Sequence, residues 1–82
     1  MKETVRNDIA SELRSLRAKT NISIEELVEK TGVSKDTIYR YENASVSMNI
    51  DNIEKLLNGY GIDFNIFFNN IYANKHKQER ND

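Results

Sequence analysis

Residues 23–43 read SIEELVEKTGVSKDTIYRYEN, and the fold turns on how that stretch divides. Ser23 stands between Ile22 and Leu27, and Ser34 between Val33 and Ile38. An apolar residue just before a capping side chain, answered by another four positions after the cap, is a hydrophobic staple. It fixes the angle at which the chain meets the helix, while the cap satisfies a free backbone N–H. Glu26, three residues after Ser23, completes a capping box. Gly32 lies between the two starts and can take the left-handed conformation that ends one helix and swings the chain into the next. The stretch therefore predicts two short helices, at about 24–31 and 35–43, joined by a tight turn.

The same device recurs outward along the chain. Met48, Asn49 and Ile53, and then Ile62, Asp63 and Phe67, repeat the staple and cap, predicting helices at about 50–60 and 64–72. Toward the N-terminus Val5, Ile9, Leu13 and Leu16 form one apolar stripe at helical spacing, on a helix that starts at Thr4 or Asn7 and ends at Thr20. Proline is absent, glycine is confined to Gly32, Gly59 and Gly61, and no stretch alternates as a strand would. The expected fold is all-α, a compact bundle of five helices. Helices 2 and 3 have the form of a helix-turn-helix, a spacing that any small bundle with a short connection can also show.

At 82 residues the chain is a single domain near the lower limit for a core without staples. It has no cysteine, and its lone His76 lies between Lys75 and Lys77, so no metal site is expected and no cofactor. No apolar run approaches the roughly 20 residues that cross a bilayer, and MKETVRNDIA lacks the core of a signal peptide, so a cytoplasmic protein is expected. Charged residues make up 30% of the chain but sum to only -1, so nucleic-acid binding must rest on local geometry and not on bulk charge. A convergent nucleophile, base or metal set is not in view, which argues against an enzyme.

Helix 3 carries the unusual furnishing. Ile38 and Tyr41, at i and i+3, should point into the core with Leu27, Val28 and Val33. Lys35, Asp36, Tyr39 and Arg40 are left on the opposite side, with Asn43 at the end. Such a face suits the major groove of double-stranded DNA, where Arg or Lys reaches guanine O6 and N7 and a carboxylate accepts from cytosine N4. A merely solvated face would carry the same charges for solubility.

From Ile9 to Phe68 the chain resembles the DNA-binding domain of the lambda-repressor-like, Xre-family helix-turn-helix regulators. The segments LRSLRAKTNIS, EELVEKTGVS, IYRYEN and LLNGYGID carry the resemblance. It implies a structural ion pair between Arg17 and Glu42, and base reading by Lys35, Asp36 and Arg40 with Tyr39 beside them. It also implies phosphate contacts from Thr37, Asn43 and Ser45, and from the amide end of helix 2 at Ser23 and Ile24. The implied function is a small repressor that binds a palindromic operator as a homodimer.

The chain departs from the family pattern at several places. Ile24 stands where family members often have glutamine, Val28 where a small residue is usual, and Ala44 where glycine is usual. The loop ASVSMN has neither basic residues nor proline, and these changes weaken the expected grip on phosphates. With two or three cations per subunit on the DNA face, a dimer would neutralise about four to six phosphates and show a salt slope of about -4 to -5.

On helix 5, Phe64, Phe67, Phe68 and Ile71 form an apolar stripe with Tyr72 one place further. Phe64 and Phe67 are expected to complete the core with Ile53, Leu57 and Ile62, while Phe68, Ile71 and Tyr72 are candidates for a two-fold dimer contact or for capping the core. Half-sites would then lie about 34 Å apart. Residues 1–73 form the expected domain, and residues 74–82, NKHKQERND, read as a polar, disordered tail. The competing reading is a protein-interaction module, antitoxin-like or binding a regulatory protein, that keeps the fold with weakened DNA binding.

Overall fold

The computed structural model describes the backbone of residues 4–80 and the side chains of residues 5–74. Five α-helices follow one another: α1 Thr4–Thr20, α2 Ile24–Thr31, α3 Lys35–Glu42, α4 Ile50–Tyr60 and α5 Phe64–Arg80. No strand occurs among the described residues.

Each of the four later helices begins at the cap that the sequence offers. Ser23 Oγ accepts from Glu26 N at 3.0 Å, Ser34 Oγ from Thr37 N at 3.2 Å and Asn49 Oδ1 from Asn52 N at 3.1 Å. At the fourth start Asp63 Oδ1 accepts from Asn65 N at 2.8 Å. A cap of this kind contributes about 1 kcal/mol, which matters for α2 and α3 because eight residues are too few to be helical unaided. Between them Gly32 adopts φ 76° and closes α2 with its N–H on Val28 O at 2.8 Å. A side chain at that φ would be strained, so the glycine is what makes the turn tight.

The helices bury one continuous core. α1 supplies Ile9, Leu13 and Leu16, α2 Ile24 and Leu27, α3 Ile38 and Tyr41, α4 Ile53, Leu56 and Leu57, and α5 Phe67, with Val33 from the turn. α1 runs through the middle of the packing, touching α3, α4 and α5, while α2 lies on α3 and α4. Phe67 is completely buried and meets Phe68 edge to face at 5.0 Å between centroids. Full burial of a side chain of that size contributes about 1.5–3 kcal/mol. Phe64, Ile62 and Val28 are only partly buried against this core.

Two expectations are corrected. Val5 is 67% exposed, because the apolar contacts of α1 begin a turn later, at Ile9. The last helix ends at Arg80 and not near Tyr72, so the stretch expected as a disordered tail is helical as far as Arg80. Residues 73–80, ANKHKQER, contain no glycine or proline and are rich in Ala, Lys, Gln, Glu and Arg, all strong helix formers, so nothing stops propagation. Asn81 and Asp82 lie outside the described residues.

Candidate nucleic-acid interface

α3 is anchored from below by its apolar residues and at its C-terminal end by two arginines. Ile38 and Tyr41 are 1% and 3% exposed, which turns the other side of the helix outward. The Tyr41 hydroxyl accepts from Asn49 N at 2.7 Å and from Asn52 Nδ2 at 3.3 Å, tying α3 to the start of α4. From α1, Arg17 grips Glu42 with both ends of its guanidinium, Nε to Oε2 at 2.7 Å and Nη2 to Oε1 at 2.9 Å. Arg14 Nη1 donates to the Glu42 carbonyl oxygen, one of the acceptors a helix end leaves without an intrahelical donor. Two cations at the negative end of α3 also suit its dipole.

The electrostatics of this anchor are those of a clamp. The hydrogen bonds that Arg17 donates to the Glu42 carboxylate hold the guanidinium pKa above its ordinary value, against the opposing effect of burial. Burial, reinforced by the nearby Glu42 carboxylate, pushes the Tyr60 phenol up to about 12, with Arg17 acting in the opposite sense. Glu42 is almost fully buried, and Arg17 meets both of its carboxylate oxygens. Removing a partner from such a pair costs far more than the pair contributes net, and its role is to fix where α3 stands.

On the outer side Lys35, Asp36, Tyr39 and Arg40 are all exposed, and α3 brings them together on one surface. Their charges are already paired. Arg40 Nε lies 2.9 Å from Asp36 Oδ2, one turn earlier on the helix, and Lys35 Nζ lies 3.9 Å from Glu25 Oε2 on α2. At the N-terminal edge Ser34 Oγ donates to Thr37 Oγ1 at 2.9 Å. At the C-terminal edge Asn43 is exposed, and Ser45 Oγ donates to Arg40 O at 3.3 Å.

The amide end of α2 is less open. Ser23 is exposed, but the Ile24 side chain is 5% exposed and belongs to the core, so only its backbone N–H is left to meet a phosphate. Glu25 and Glu26 occupy the same first turn and oppose an anion there. On α5, Phe68 and Ile71 pack partly against the core, whereas Tyr72 is 62% exposed and Ile66, nearer the start of the helix, is 53% exposed.

Sequence reasoning missed Arg14, the Tyr41 hydroxyl, the Glu25 partner of Lys35, and Tyr60. Arg14 carries a usable signal, since it precedes Arg17 by three residues and so shares its helical face. The others meet their partners only through the packing of different helices.

Comparison with known proteins agrees with this geometry. Residues 8–64 match the family model described as a helix-turn-helix domain. The cryptic phage CTXphi transcriptional repressor RstR of Vibrio cholerae is 34% identical over 53 residues, covering 65% of this chain and 48% of that protein. The chain thus spans about half the length of that relative. Among solved structures, the wild-type restriction-modification controller protein C.Esp1396I superposes with a TM-score of 0.83 over 93% of this chain and 99% of that one, at 17% identity. A tyrosine-to-phenylalanine mutant of the same controller gives 0.82 over the whole of both chains, also at 17% identity, and likeness at that level is one of fold. The matched segment takes in the capped pair α2 and α3 together with the Arg17–Glu42 clamp, and the chain accordingly belongs to the helix-turn-helix domain family, in its lambda-repressor-like, Xre-type form.

Proposed function

We propose that this chain is a DNA-binding transcriptional regulator that lays α3 in the major groove of double-stranded DNA. One observation carries the reading: an eight-residue helix, clamped by Arg14, Arg17 and the Tyr41 hydroxyl, presents Lys35, Asp36, Tyr39 and Arg40 together on its outer side. A helix so short gains little by being fixed so firmly unless its outer side must meet something in register. The RstR relative is named as a transcriptional repressor and the structural neighbours as controller proteins, which supports the same reading.

In this account Arg40 and Lys35 read base edges, with Tyr39 beside them. Thr37, Asn43, Ser45, Ser23 and the Ile24 amide take the flanking phosphates. Two copies meet through Phe68, Ile71 and Tyr72 on α5 and bind a palindromic operator in the cytoplasm as a repressor. No helix among the described residues is long and apolar enough to cross a membrane.

The test is selection of bound sequences from a random DNA pool, followed by titration of the winner and a scrambled duplex at two salt concentrations. The expected result is an inverted repeat with half-sites about one helical turn apart. The salt slope for the winner should be about -4 to -5, because few phosphates are neutralised. Recovery of nothing above the starting pool at low salt would overturn the reading and direct the search to a protein bound on the Tyr39 or Tyr72 face.

A further inference from the structure

Asp36 was expected to read a base of its own, but its carboxylate is engaged within the helix. Arg40 Nε lies 2.9 Å from Asp36 Oδ2, one turn back on the same face of α3. A guanidinium carries five N–H donors in a rigid plane, and the major-groove edge of guanine takes two of them, at O6 and N7. An acceptor held on Nε leaves both terminal nitrogens of Arg40 for the base. It also fixes the plane in which they lie.

Resting on the reading of α3 as the DNA-facing helix, we propose that Asp36 is a positioning residue for Arg40, orienting its guanidinium toward a guanine instead of reading a base itself. The two side chains are 74% and 54% exposed, so water competes with the pair in the free protein. A groove displaces that water, and the pair tightens when Arg40 has to be aimed. The carboxylate also repels phosphates, so an arginine not seated on its guanine is discouraged from settling on the backbone, which lowers affinity for unrelated DNA. Lys35 and Glu25 do not form a second such device. Their separation is 3.9 Å, and an ammonium has no plane to orient.

The experiment uses the full chain and the selected operator, with each base pair facing α3 replaced in turn by the three alternatives, in anisotropy titrations at fixed salt. The proteins are wild type, Arg40→Ala, Asp36→Ala, Asp36→Asn and the Arg40→Ala/Asp36→Ala double variant. Arg40→Ala should flatten the preference at one base pair of each half-site, and so define the pair that Arg40 reads. Asp36→Ala should weaken the preference at that same pair by about tenfold, leave the other pairs unchanged and raise affinity for scrambled duplex. Asp36→Asn, which keeps an acceptor oxygen, should fall between wild type and Asp36→Ala. The double variant should be no flatter than Arg40→Ala alone.

Relaxation by Asp36→Ala at a different base pair, or no change of preference at all, would overturn the positioning role while leaving α3 as the reading helix. If Arg40→Ala itself changes no preference, the DNA-facing reading of α3 falls and the positioning role falls with it. A urea melt of each variant distinguishes lost preference from lost fold, and both side chains lie outside the core.

Discussion

Ala44 comes just after Asn43, the residue that caps α3, and holds φ 58°, in the left-handed region that costs a residue with a Cβ about 1 kcal/mol. Ala44→Gly should therefore raise stability by about 0.5 kcal/mol, seen as a higher urea midpoint at unchanged slope; a lower midpoint would show that the chain is not strained there. Tyr60 supplies a second single-residue prediction. Its phenol is pushed up to about 12 by burial, whereas an unfolded tyrosine ionises near about 10. The folded state favours the neutral form, so this contribution is complete below pH 10 and is lost as pH rises toward 12. Across that interval the wild type should lose about 1–2 kcal/mol more than Tyr60→Phe in urea melts, and parallel curves for the two would contradict the burial of the phenol. The sequence made one of these features legible and not the other. Ala44 stands out by occupying a glycine position just past the end of a helix, whereas Tyr60 is perturbed first by its burial in the packed bundle and then by the Glu42 carboxylate of another helix.

At the scale of elements, α2 and α4 approach each other closely at Gly59. A Cβ added there would sit 2.4 Å from Thr31 Cγ2 and 3.2 Å from Leu27 Cδ1. Thr31 cannot swing aside freely, because its hydroxyl donates to Leu27 O at 2.8 Å and accepts from Val33 N at 3.1 Å. Gly59→Ala would gain about 1 kcal/mol on an open helix, but here it should cost about 1–3 kcal/mol through overpacking. Thr31→Ser removes the obstructing methyl and keeps the hydroxyl, so the Gly59→Ala/Thr31→Ser double variant should recover much of the loss. Failure of that rescue, or a stabilising Gly59→Ala, would place the close approach elsewhere. The helix starts were readable because a cap and its staple lie within five residues of each other. Gly59 gave no such signal, since the reason for it sits on another helix, and the end of α5 was misplaced because the polarity of residues 73–80 was weighed above their helix propensity.

The whole molecule is organised around one clamped helix. α1 supplies the clamp, α2 and the glycine turn set the angle, and α4 and α5 close the core beneath, so that α3 can be small and still be held. The all-α fold with its helix-turn-helix was legible in the sequence. The state of the outer face was not, because Lys35 meets Glu25 only once α2 and α3 are packed, and the Arg40–Asp36 pair needs chosen rotamers as well as a helix. In the proposed dimer Tyr72 lies on the contact and far along the chain from the reading helix. Tyr72→Ala should weaken self-association in sedimentation experiments while leaving the base preference of each half-site intact, whereas an unchanged dissociation constant would remove Tyr72 from the contact. The most direct test of the central claim is to titrate Arg40→Ala against the selected operator and its scrambled version beside the wild type. A loss of about 1–3 kcal/mol on the operator, with preference relaxed at one base pair per half-site and little change on the scrambled duplex, is the predicted result. Equal binding of the operator by the variant and the wild type would contradict it and take α3 out of the DNA interface.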